Sequence, residues 1–126
     1  EQGRGGAERA DWFEWGGRDP DGTYRFDEKR PGWGKPIHQL FVDTGVNVYF
    51  HGHDHFYARQ EKDGVIYQLV PQPALENSRM PGHAAEYGYT TGDIRGGSGF
   101  MLVTVSPSGY EMKFVQSESL RKGGKK

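Results

Sequence analysis

Hydrophobic positions along the chain follow two rhythms. Ile37, Leu40 and Phe41 recur at i, i+3 and i+4, the spacing of one buried stripe on a helix. Pro36 suits the first helical turn and Gly45 the position past the end, which predicts a helix over 35–45. Directly after it, Val46-Asn47-Val48-Tyr49-Phe50 is an apolar and aromatic run too short for a helix, which predicts a buried strand. Phe56 to Glu61 and Val65 to Val70 are two further strand-like runs, and the Asp63-Gly64 between them is a strong hairpin signal. Pro71 and Pro73 end the second run, because proline cannot serve a central ladder. Phe100 to Val105 predicts another buried strand and Ser106-Pro107-Ser108-Gly109 a turn. Tyr110, Met112 and Phe114 then alternate with Glu111 and Lys113, as in a half-exposed return strand.

The remaining stretches are less regular. Ala7 to Trp15 can form one or two helical turns, stopped by Gly16-Gly17, and Asp19-Pro20-Asp21-Gly22 is a turn. Trp12, Phe13, Trp15, Tyr24, Phe26 and Trp33 make residues 1–34 aromatic. We expect a loop packed onto the domain by its own side chains. The alternative is the rim of a substrate pocket, with Glu14 and Arg18 within reach of a ligand. Residues 71–99 have no clear period, and they carry Asn77, Ser78, Arg79, His83, Tyr87 and Tyr89. From Ser117 to Lys126 the chain is polar and basic, as a solvated tail would be. A helix feeding a strand, followed by hairpins, points to an α/β (α+β) fold.

Composition narrows the classes. A length of 126 residues suits one domain or part of one. Hydrophobic content of 33% with 20 glycines, over twice the usual share of about 7%, fits a loop-rich piece better than a self-sufficient core. Lys and Arg total 16 against 17 Asp and Glu, so no strong field for nucleic acid follows. The single Arg-Gly-Gly at Arg4 reads as a loop. Absence of cysteine excludes disulfides, iron–sulfur clusters and cysteine-based zinc sites, and leaves the compartment open. No apolar stretch approaches the roughly 20 residues of a membrane span.

The candidate chemistry lies where the first strand runs into His51-Gly52-His53-Asp54-His55. A lone histidine is most often a surface or hydrogen-bonded residue, but three of the five histidines here fall within five positions. In extended chain, His53 and His55 share one side and Asp54 points to the other. Two imidazoles converging at a strand end suggest a metal site. His51 precedes the glycine turn, which favours a supporting or structural role. Arg59 either pairs with a carboxylate behind the site or is solvated. His38 is expected to hydrogen-bond rather than ligate. His83 is a candidate for substrate contact or leaving-group protonation, weighed against a plain loop histidine.

The run from the strand through Gly52-His53-Asp54-His55-Phe56-Tyr57-Ala58-Arg59 resembles the last metal-binding motif of the calcineurin-like metallophosphoesterases, which include the purple acid phosphatases. Phe13-Glu14-Trp15-Gly16-Gly17 and the stretch from Arg30 to His38 are similar to a bacterial branch of that superfamily. The resemblance implies that His53 ligates one metal of a two-metal centre and His55 the other, the metals being Fe, Mn or Zn. It implies a phosphorylated small-molecule substrate attacked by a metal-activated water. It also implies a four-layer α/β/β/α sandwich, represented here by one helix, about five strands and long loops. The family's upstream motifs are missing, so residues 1–120 are expected to be the C-terminal portion of such a domain, partnered by an upstream half, with 121–126 as a disordered tail. Alone, the chain is expected to be nearly inactive. The rival is a non-catalytic binding module with an aromatic, Gly-rich surface. A single-metal site of His51, His53 and His55 ranks last, because Gly52 interrupts the tripod.

Overall fold

The computed structural model describes residues 5–74 and 82–117. Arg4, Asn77, Ser78, Arg79 and the basic tail lie outside the described residues. The fold is mixed α+β, with short helices and two sheets.

A 3-10 turn, Ala7–Asp11, and α1, Phe13–Gly16, occupy the stretch expected to be briefly helical, and α2 spans Phe26–Lys29. The predicted longer helix is α3, Ile37–Thr44, closed by Gly45 at φ 71°, where a left-handed residue satisfies the last carbonyls. Its buried stripe is turned from the expected one. Leu40 is 45% exposed, and the inward positions are His38 and Phe41. The reason is polar: Tyr67 and Asp63 offer hydrogen bonds to a histidine at 38 that leucine at 40 could not use.

Four strands form the main sheet in the order β1 (Val48–His51), β3 (Val65–Leu69), β2 (Tyr57–Lys62), β4 (Asp93–Arg95). The Asp63-Gly64 hairpin joins β2 to β3, with φ of 50° and 79°, the left-handed pair that matches strand twist. β1 runs parallel to β3, with Tyr49 opposite Tyr67 and His51 opposite Leu69. This corrects the expectation of a buried first strand. β1 is the sheet's edge, half-buried, and Phe50 is 43% exposed. β3, in the centre, is buried at every position.

Residues 82–99 are also more regular than their sequence suggests. They contain α4, Gly82–Glu86, and β4, whose pairing with β2 supplies what the short segment's own pattern lacks. One sheet face packs in two clusters. Tyr67 and Val65 meet Ala7, Ala10, Trp15 and Phe41, while Leu69, Ala58 and Phe56 meet Ala84 and Tyr89.

The closing hairpin is β5, Ser98–Ser106, with β6, Gly109–Ser117. Its alternation is as expected, but β5 is not buried beyond its first two residues. The pairs Met101–Phe114, Val103–Met112 and Val105–Tyr110 put six apolar side chains on one face. The hairpin stacks Phe114 on Tyr57 at 4.5 Å and extends away from there, leaving Val105 76% exposed.

Candidate functional site

β2 lies on the far side of β3 from β1, so residues 52–56 must cross the carboxyl end of β3 in five residues. The crossing is a bend, not extended chain, and His53 sits at φ 86°. The strict alternation read from the sequence therefore does not hold here. Asp54 does not point away from His53 but inward beside it. Its side chain is 2% exposed and accepts a hydrogen bond from the Tyr89 hydroxyl at 3.0 Å. Inside this anchor, His53 remains open, its side chain 64% exposed, with Nδ1 3.4 Å from Asp54 Oδ1. His55 is half-buried, and the Gln72 amide lies 3.3 Å from its Nε2.

Tyr89, to which the sequence assigned no role, holds this region together. It packs edge-on against Phe56 at 4.9 Å and lies parallel to His51 at 6.4 Å. Burial, and then the neighbouring Asp54 carboxylate, push its hydroxyl well above the ordinary phenol range, so it stays a donor. His51 is layered between Tyr49 and Tyr89, and its Nε2 is buried with no hydrogen-bond partner among the described residues. Burial lowers its pKa to about 4, against a weaker upward pull from Asp54, so the ring is neutral near pH 7.

A cavity of about 780 Å³ opens beside the crossing. His51, Gly52 and His53 form one wall, and Trp12, Phe13, Trp15, Tyr49 and Tyr67 form most of the rest, with Arg9 and Glu14. The aromatic segment packs by its own side chains, as expected, and also borders this cavity. Trp15 packs on Phe41, Tyr49 and Tyr67, and of these rings Trp15, Tyr49 and Tyr67 also line the cavity. Glu14 is held by Arg30 at 3.2 Å, while Arg18 bonds to the Gly22 carbonyl and is not part of the lining.

The other candidates are placed elsewhere. His55 is not part of the cavity lining. Arg59 is exposed on β2. His83 is exposed on α4, 3.2 Å from Glu86, and outside the cavity. His38 hydrogen-bonds as expected: Nε2 meets Asp63 at 2.8 Å and Nδ1 meets the Tyr67 hydroxyl at 2.7 Å. With the proton on Nε2 facing the carboxylate, Nδ1 accepts from Tyr67.

Sequence reasoning also missed Glu8. Its carboxylate accepts from the Thr90 and Thr91 amides at 2.8 and 2.9 Å and from the Gln60 side chain at 2.8 Å. Gln60 in turn accepts from the Ala7 amide at 3.0 Å. No local pattern could signal contacts between residues more than eighty positions apart. Among the described residues, no group of three or more His, Cys, Asp and Glu side chains is arranged to hold a metal ion. Comparison with family models, curated proteins and solved structures finds no match.

Proposed function

We propose that the chain is the C-terminal portion of a dinuclear metal-dependent phosphoesterase of the calcineurin-like superfamily, with His53 and His55 as ligands to the metal pair. In this reading the two sheets belong to a four-layer α/β/β/α sandwich. The supporting observation is the crossing itself: Gly52-His53-Asp54-His55 lies at the carboxyl ends of the parallel strands β1 and β3, where α/β sheets place their chemistry. Asp54 is fixed inward while the His53 ring stays open.

The side chains present fit part of a metal site. Asp54 Oδ1 beside Nδ1 favours the His53 tautomer protonated there, leaving the Nε2 lone pair outward, the arrangement by which a carboxylate orients a metal-binding imidazole. His55 is steadied by Gln72, whose amide would give up Nε2 to a metal. Two imidazoles are not a full donor set, so the remaining ligands come from the upstream part of the same domain. Imidazole with carboxylate donors suits Fe, Mn or Zn. Such a metal pair supplies Lewis acidity and an activated water for phosphate ester hydrolysis.

Addition of Mn²⁺ to the chain should broaden the ring NMR signals of His53 and His55 well before those of His83, with the effect lost in His53→Ala. Broadening that does not distinguish His83 from the other two would sink the assignment. The aromatic cavity favours a second reading, a non-catalytic module that holds a ligand there. Ligand binding with no metal response would select it.

A further inference from the structure

We infer that the cavity binds a flat aromatic group, and that the phosphate ester presented to His53 carries one. The inference about the ester rests on the phosphoesterase reading; the inference about the ring does not. At about 780 Å³ the cavity falls within the range of small-molecule sites, roughly 300–1,000 Å³, and exceeds what a bare phosphate needs. Aromatic rings make up much of its walls. Trp15 lies 5.2 Å from Tyr49 and 6.4 Å from Tyr67, and Tyr49 lies 5.7 Å from Tyr67. The rings are tilted by 56° to 69° to one another, which makes a cup of ring faces and edges, not a closed stack. Aromatic pairs in such arrangements gain about 0.5–1.5 kcal/mol beyond area burial, so a planar guest is preferred over an aliphatic one of equal size. The Arg9 guanidinium, 4.0 Å over the Trp12 ring, places positive charge on the same lining, and His53 forms part of it too. A molecule with a ring in the cup and an anionic end therefore has a cation and an imidazole along the same cavity.

The three tryptophans provide an internal test, because Trp12 and Trp15 line the cavity and Trp33 does not. In the ¹⁵N-labelled full chain without metal, 2-naphthol should shift the indole N–H signals of Trp12 and Trp15 and spare Trp33. 2-Naphthyl phosphate should act on the same two signals, and glycerol phosphate should not. Trp12→Ala should weaken 2-naphthol binding roughly two- to tenfold, the loss of one ring contact, and Trp33→Ala should leave it unchanged. Shifts absent from Trp12 and Trp15, shifts equal at all three tryptophans, or glycerol phosphate acting as strongly as the naphthyl ester would overturn the inference. Failure of the Mn²⁺ experiment alone would remove the phosphoesterase reading and leave the ring site standing.

Discussion

At His53 the backbone adopts φ 86°, a conformation that glycine takes freely and that costs a residue with a Cβ about 1 kcal/mol or more. Strain of this kind persists where the surroundings over-determine it, and here the crossing over β3, with Asp54 tied to Tyr89, does so. His53→Gly should therefore be more stable than His53→Ala by about 1 kcal/mol in urea unfolding, although both remove the imidazole. Equal stability of the two would show that no strain is stored there. The spacing Gly-His-Asp-His was legible in the sequence, but the inward direction of Asp54, beside His53, was not. The strain was not, because it arises from which strand the crossing must pass, and that is set by pairing between residues far apart in the chain. Tyr89 was illegible for the same reason. It is one tyrosine in an irregular stretch until the fold brings it under Asp54.

Between elements, the link from α3 to the β2–β3 hairpin is a chain of three polar groups, Asp63, His38 and Tyr67. The His38 hydrogen bond is the main influence that lowers the Asp63 pKa, while burial raises that of Tyr67. Removing the imidazole leaves a buried Tyr67 hydroxyl without its partner and opens a gap under the helix. His38→Ala should cost about 2–3 kcal/mol and leave the Mn²⁺ response of His53 and His55 intact. Loss of that response with stability unchanged would mean that His38 is a ligand after all. Helix bounds and the Asp-Gly hairpin could be read directly, since caps and turn residues act within a few positions. The orientation of the helix could not. Hydrophobicity alone chose Leu40, and the structure chose a histidine with two hydrogen bonds. In the closing hairpin the period of two was equally plain, yet alternation says only which residues share a face, not whether anything covers that face.

Across the whole molecule, Glu8 joins the first turn of the described chain to the loop before β4. Burial raises the pKa of its carboxyl, but the hydrogen bonds from Thr90, Gln60 and Thr91 outweigh burial and hold it below the ordinary value of 4.5. The folded-state pKa is the lower one, so between the two values the unfolded chain binds more protons. The stability contributed by Glu8 is therefore present above about pH 4.5 and is lost as pH falls through the folded value. Glu8→Gln should be about 1 kcal/mol less stable than the parent at pH 7, with the gap narrowing below pH 4.5. A gap that stays constant through that range would show that the charge contributes nothing.

One further consequence follows from this clasp. The carboxylate spans 82 residues to reach Thr90, so the opening segment can dock only on a sheet already assembled. Thr90 and Thr91 should then exchange their amide hydrogens at the rate at which the chain's beginning detaches, faster than the strands of the sheet exchange theirs. These two amides act as a clock for that motion.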